Sequence, residues 1–382
     1  MKVGIITFHF VSNQGGVLQA FASQSFLEKH GYEAFIINYR PKYHTIRYLP
    51  HKNPYIYTKW YWKKNKGVNI LKRILLTLLS FARCVWMNLK QSDTRKYYLF
   101  EKFITNHLHQ TREYENLSQL KNNPPQLDAY VSGSDQLWNP DLLNFAFDPA
   151  YFLAFGPNEI PKIAYAVSSG KKLTPKEESQ LQSLCRNFSA ISLREYNEST
   201  VKAIGRDVHI CIDPTLLLDA EDYKLVEGNC QEKEPYIFVY GFETNNDIQE
   251  AVNKAVAMLG CKVINGSPDR INLKNECKKL HDYDPGMFLS LVKNAECVVT
   301  NSFHGTAFSL IYQKPFITVP HTTRGQRMTE LLGKLNLGYK IYGNQDFDIN
   351  KEIDWGEVYK KLNELRKQSS DFLLNSLKYL NK

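Results

Sequence analysis

The sequence predicts an α/β protein built from two doubly wound, Rossmann-like domains, and three observations lead there. Short β-branched apolar runs alternate with segments of helical spacing along most of the chain. That alternation occurs twice, either side of a polar stretch, residues 219–234. At 382 residues the chain exceeds one ordinary core and suits two domains. The expected domains are 1–220 and 235–382, their carboxyl edges facing a common cleft. The last helix is a candidate to pack back on the first domain.

The first elements are a strand over 3–8 and a helix over 17–30, closed by Gly31 at the position after its last turn. A strand follows over 34–39. The loop between, Ser12-Asn13-Gln14-Gly15-Gly16, carries a glycine pair but not G-x-G-x-x-G. It either lets a ligand approach the backbone or only makes a tight turn. After Pro124-Pro125 come strands over 127–131, 163–167, 190–193 and 208–212. The first runs into Ser132-Gly133-Ser134-Asp135, where Ser132, Ser134 and Asp135 either bond a ligand or cap a turn. The third ends in Arg194-Glu195. Arg194 can grip a phosphate or carboxylate through two parallel N–H groups, or form a surface pair with Glu198.

The second half reads as strand 236–240, helix 246–259 and strand 261–264. Then come helix 285–294, strand 297–300, helix 305–312, strand 314–320, helix 324–335 and helix 355–380. Its centre is Asn301-Ser302-Phe303-His304-Gly305, where a strand ends and a helix begins. Ligands bind at such edges, where free N–H groups meet anions. Asn301 or Ser302 can cap the helix. His304 has no capping role, and Phe303, Ala307, Phe308 and Ile311 take the core-facing positions, so His304 is read as a general acid/base or a phosphate donor. His321, Arg324 and Arg327 follow at the next edge.

Residues 40–112 break the pattern. Sixteen lysines and arginines there face only Asp93 and Glu101, with Tyr43, Tyr48, Trp62 and other aromatics interleaved. Residues 70–89 form an apolar helix interrupted by Lys72, Arg73 and Arg83, too short between its charges to cross a bilayer. A basic insertion of this kind, about 41–112, suits an anionic membrane surface, a packed insertion or a nucleic-acid patch. No nucleic-acid motif accompanies the charge, so no nucleic acid is expected.

Composition sets the class. The chain is 43% hydrophobic and 23% charged with a net charge of +9, as in soluble globular proteins. Seven cysteines without metal spacing suit a reduced cytosolic protein, and no metal is expected. The chain enters a strand at once, so no signal peptide is expected, and no apolar run spans a membrane.

Several motifs together resemble the polysaccharide pyruvyl transferase family. They are Ile5-Ile6-Thr7-Phe8 with Asn13-Gln14-Gly15, then Asn38-Tyr39-Arg40-Pro41 and Ser132-Gly133-Ser134-Asp135-Gln136-Leu137-Trp138-Asn139. Ile191-Ser192-Leu193-Arg194-Glu195, Asp213-Pro214-Thr215-Leu216-Leu217 and Asn301-Ser302-Phe303-His304-Gly305, with Lys314-Pro315-Phe316, complete the order. The resemblance implies a GT-B-like fold and phosphoenolpyruvate as donor substrate, with no further cofactor. Pyruvate would pass, as a cyclic ketal, to a sugar of a cell-surface polysaccharide (capsule or exopolysaccharide) or its lipid-linked precursor. His304 falls on the family's catalytic histidine and Arg194 resembles its donor-site arginine. Asn13, Gly15, Ser132, Ser134, Asp135, Asn301, Ser302, His321, Arg324 and Arg327 would line the substrates. Some members carry an arginine two residues before the histidine, where this chain has Ser302, which leaves the donor phosphate to Arg194, Arg324 or Arg327. The expected location is cytoplasmic, at the inner face of the plasma membrane. Two other readings stay open, a nucleotide-sugar glycosyltransferase and a non-catalytic envelope-assembly protein.

Overall fold

Two parallel sheets organise the chain, each in its own compact unit: residues 1–210 with 373–382, and residues 211–372. The structure is a computed structural model and describes residues 1–46, 48–49, 62, 69–89, 91–243, 245–268, 271–322 and 325–378. Arg324, Lys63, Lys64, Lys66, Tyr55, Tyr57, Trp60 and Tyr61 lie outside the described residues.

In the first unit, β1 (Lys2–Ile6) leads through α1 (Gln14–Lys29) to β2 (Glu33–Ile36). The insertion follows as α2 (Lys42–Thr45), α3 (Ile70–Leu89), α4 (Gln91–His107) and α5 (Leu117–Asn122). Then come β3 (Ala129–Ser132), β4 (Lys162–Val167), α6 (Pro175–Leu184), β5 (Ala190–Leu193), α7 (Glu198–Ile204) and β6 (His209–Ile210). The strands run parallel in the order β2-β1-β3-β4-β5-β6. Because β1 has β2 on one side and β3 on the other, the strand order reverses between β1 and β3. That reversal is where an open α/β sheet leaves a crevice. The central strands β3 and β4 are buried throughout, and β1 and β5 nearly so, so they read as continuous apolar runs.

The second unit contains α8 (Ala220–Tyr223), β7 (Tyr236–Tyr240), α9 (Asn246–Leu259), β8 (Lys262–Asn265) and β9 (Glu276–Lys279). It continues with α10 (Pro285–Lys293), β10 (Cys297–Thr300), α11 (Phe303–Ile311), β11 (Phe316–Thr318), α12 (Gln326–Lys334) and α13 (Trp355–Lys378). Its order is β11-β10-β7-β8-β9, again all parallel, and here the reversal lies between β7 and β10.

Several expectations shift. α1 begins at Gln14, so the glycine pair is not a free loop: Gly15 and Gly16 form the first turn, and Asn13 caps it by accepting from the Gly16 N–H at 3.1 Å. A Cβ on Gly16 would lie 2.5 Å from Val11, so glycine lets the helix press on the preceding loop. The strand expected over 208–212 shrinks to two residues: Cys211 onward belongs to the second unit, where the Ile212 N–H donates to Ser369 Oγ at 3.0 Å. α4 was not foreseen; the basic composition hid Phe100, Phe103 and Ile104, which it buries.

The loop after β1 is fixed by side chains. Thr7 Oγ1 donates to the Ser134 carbonyl at 3.0 Å and accepts from Gln19 Nε2 at 2.6 Å. The buried His9 ring sits between two oxygens, Thr7 O at 3.2 Å and Asn38 Oδ1 at 3.0 Å. Asn38 Oδ1 is a true acceptor, since Arg40 Nε donates to it at 2.8 Å. Two acceptors favour the doubly protonated ring, yet burial first and the Arg40 charge second pull the His9 pKa down to about 4. An unfolded chain therefore takes up this proton below about pH 6.5, while the folded chain refuses it until about pH 4. Stability is full above the unfolded value and falls as pH drops through that window. Unfolding in urea is expected to show His9 removing about 2 kcal/mol between pH 8 and pH 5. His9→Gln should lose that part of the slope, and an unchanged slope would contradict the assignment.

Candidate functional site

Asn301 decides the shape of the second unit's edge. Its Oδ1 accepts from the Phe242 N–H at 2.7 Å and its Nδ2 donates to the Glu243 carbonyl at 2.8 Å. The loops after β7 and β10 are thereby tied together at the strand-order reversal. Glu243 reaches the loop beyond β11: it accepts from the Thr322 N–H at 2.9 Å and from the Thr322 hydroxyl, and His321 Nδ1 lies 3.5 Å away. Asn301 and His321 are thus brought to one edge, Asn301 as a clamp between loops.

α11 starts with Ser302 as cap, its Oγ facing the Gly305 N–H at 3.5 Å. Thr300 Oγ1 accepts from the Ser302 N–H at 3.0 Å. A Cβ on Gly305 would fall 2.1 Å from Thr300 Oγ1, so only glycine lets the helix sit this close to β10. The spacing predicts a single core-facing side for α11; instead all nine residues are buried, His304 included. The reason is that α11 meets β10, β11, α10, α12 and the turn Pro214–Leu217 at once.

That turn supplies the partner of His304. Asp213, fully buried, accepts from the Thr215 N–H at 3.0 Å and the Thr215 hydroxyl at 2.8 Å through Oδ1. Its Oδ2 lies 3.8 Å from His304 Nε2. Tyr223 holds the turn by donating to the Thr215 carbonyl at 2.9 Å, and Arg366 donates to the carbonyls of Leu216 and Leu218 at 2.7 and 2.8 Å. A fixed carboxylate at ion-pair distance stabilises the charge a histidine gains on taking a proton. Arg327, in the first turn of α12, stacks 5.7 Å over the Phe303 ring, next to His304 in the chain.

In the first unit Arg194 is no surface pair with Glu198. Its side chain is 1% exposed and lies 3.4 Å from Asp135 and 3.7 Å from Glu195. Glu195 also accepts from the Ser168 hydroxyl. Ser132 Oγ donates to the Tyr151 carbonyl at 2.6 Å and Ser134 Oγ to the Ala166 carbonyl at 2.8 Å, so both hydroxyls serve the backbone. The Ser134 N–H donates to Gln19 Oε1 at 3.1 Å, which joins this loop to α1. Arg194 and Asp135 are brought together; Asn13 and Gly15 sit apart from them in sequence at the start of α1.

Sequence reasoning placed Asp213 and Glu195 only as motif residues at strand ends, without a partner, and gave Glu243 and Gln19 no place at these edges. Asp213-Pro214-Thr215 follows a strand and carries a capping signature. That signature points to a turn, and only the contact with α11 reveals a histidine partner. Among the described residues no group of three or more His, Cys, Asp or Glu could hold a metal ion.

The sequence model of the family described as polysaccharide pyruvyl transferase matches residues 13–323. The chain belongs to the polysaccharide pyruvyl transferase family. It is therefore a member of a transferase family of polysaccharide biosynthesis. No curated protein matches it. Among solved structures it is similar to UDP-GlcNAc 2-epimerase of Methanocaldococcus jannaschii, at 12% identity and a TM-score of 0.48, covering 99% of this chain and 100% of that one. It is also similar to a glycosyltransferase of Streptomyces sp. SF2575, at 12% identity and 0.43, covering 98% and 99%. A heptosyltransferase of E. coli gives 11% identity and 0.37, covering 95% and 99%.

The clamp reading of Asn301 has a direct consequence. Asn301→Ala removes two buried hydrogen bonds and should cost about 2–3 kcal/mol in urea unfolding. A variant as stable as the parent would return Asn301 to the role of substrate ligand alone.

Proposed function

We propose that this chain transfers pyruvate from phosphoenolpyruvate to two hydroxyls of one sugar, forming a cyclic ketal on a cell-surface polysaccharide or its lipid-linked precursor. Membership of the family supports the reaction class, and the His304–Asp213 pair is the observation that carries the reading. The donor's methylene carbon takes a proton, which leaves an oxocarbenium-like centre at the adjacent carbon. One sugar hydroxyl attacks it and gives up its proton. Phosphate then leaves with the C–O bond electrons, and the second hydroxyl closes the ring and loses its proton. The products are the ketal and inorganic phosphate, so protons and electrons balance.

The path needs a group that gives and takes a proton near neutral pH. His304 fills that role, at the start of a helix whose N–H groups favour anions. Asp213 is a positioning residue: it holds the ring and balances its charge. His304→Asn is expected to keep the fold and lower kcat about 10²–10⁴-fold. Asp213→Asn should lower kcat less and move the histidine limb of the pH profile to lower pH, because the imidazolium loses its carboxylate. Folded His304→Asn protein with normal kcat would sink the assignment.

Arg194 or Arg327 is the described arginine proposed for the donor's phosphate. Asp135 and Glu195 fix the Arg194 guanidinium, and a lysine there keeps charge but loses the fork. Arg194→Lys should raise the KM for phosphoenolpyruvate about tenfold or more, with little change for the sugar. An unchanged donor KM would make Arg194 a structural partner of Asp135 and Glu195 and leave Arg327 as the ligand. Incubation with phosphoenolpyruvate and candidate lipid-linked sugars should release inorganic phosphate. Release of a nucleotide from a nucleotide-sugar, with no phosphate from phosphoenolpyruvate, would instead favour a glycosyltransferase.

A further inference from the structure

α3 is an amphipathic helix turned inside out. Ser80 and Cys84 are buried, Trp62 Nε1 donates to Thr77 Oγ1 at 2.7 Å, and the Arg73 guanidinium lies 4.8 Å over the Trp62 ring. Thr77, Ser80 and Cys84 recur at three- and four-residue spacing, so the side of small and polar residues is the more covered one, with Arg73 at its exposed edge. Its apolar side faces solvent: Leu71 is 76% exposed, Leu78 63% and Trp86 56%, with Ile70, Ile74, Leu75, Phe81 and Val85 also exposed. A soluble helix ordinarily buries such a stripe, because each of these side chains gains by leaving water.

Charge identifies what covers it. Residues 40–112 hold sixteen basic and two acidic side chains out of 48 and 39 in the chain, which leaves 32 basic and 37 acidic residues elsewhere. The cationic excess of the whole protein thus lies in the same stretch of sequence as α3, whose apolar side chains face outward. A second copy of this chain would bring that cationic segment against itself. Among the described residues no helix is long and apolar enough to cross a membrane. A helix of this kind instead lies in the plane of a bilayer surface, apolar face among acyl chains and cations at lipid headgroups.

We propose that α3 docks the protein on an anionic lipid bilayer, with its 71–75–78–86 face inserted and the surrounding lysines and arginines on the headgroups. The inference stands apart from pyruvyl transfer, because its test needs no turnover. Full-length protein is floated with vesicles of phosphatidylcholine alone and of phosphatidylcholine with phosphatidylglycerol, at low salt and at about 1 M salt, where screening reaches only about 3 Å. The expected result is binding to the anionic vesicles that weakens in high salt but persists. Leu71→Gln with Leu75→Gln and Leu78→Gln should reduce binding more than about tenfold and abolish the salt-resistant part. These positions are exposed, so the variant should unfold at the parent's temperature. Lys72→Gln with Arg73→Gln should reduce only the salt-sensitive part. Failure of the parent to bind anionic vesicles at low salt overturns the proposal. So does equal binding to both vesicle types, or unchanged binding of the triple leucine variant. A dimer in solution that the triple variant abolishes also overturns it, and makes the face a self-association surface.

Discussion

Buried backbone at the carboxyl edges of the two sheets must find hydrogen-bond partners, and this requirement governs how both edges are built. Parallel strands satisfy their own ladders, but the loops leaving them do not. Side chains supply what is missing: Asn301 for Phe242 and Glu243, Gln19 for Ser134, Ser132 for Tyr151, and Asp213 for Thr215. The Asn301 and Gln19 bonds join segments far apart in sequence, whereas the Asp213–Thr215 bond closes a single turn. The edges are therefore rigid before any ligand arrives, and that rigidity is what a proton-transfer site needs.

The same requirement divides the polar residues into those that hold loops and those with chemistry to offer. Ser132, Ser134 and Asn301 spend their polar atoms on neighbouring backbone. His304 differs, because its neighbour is a fully buried carboxylate that the turn at Pro214 already orients. Gly305 makes the arrangement possible, since any side chain there would push α11 off β10 and carry His304 with it. Arg194 lies between these cases: two carboxylates hold it, yet a held guanidinium is also a preorganised one.

α3 shows the reverse balance. Its polar side is used inward and its apolar side is left outward, which is costly in water and favourable only against another apolar phase. The proposed catalytic edge and the proposed lipid-facing helix draw on different parts of the sequence. The edges use loops after strands, and α3 belongs to an insertion between β2 and β3.

By itself the sequence determined the two α/β units, most strands, and α3, α9 and β10 to the residue. Each of these is a local apolar pattern, and the period of such a pattern is a property of the chain alone. It also determined the family, through motifs that lie in the loops after strands. Tertiary structure decided which motif residues meet. No periodicity records that Asp213 lies beside His304, that Asn301 bridges to Glu243, or that α11 is enclosed on all sides. It also decided which side of α3 faces out. An amphipathic pattern states that a helix has two sides, and only the surrounding packing fixes which of them meets water.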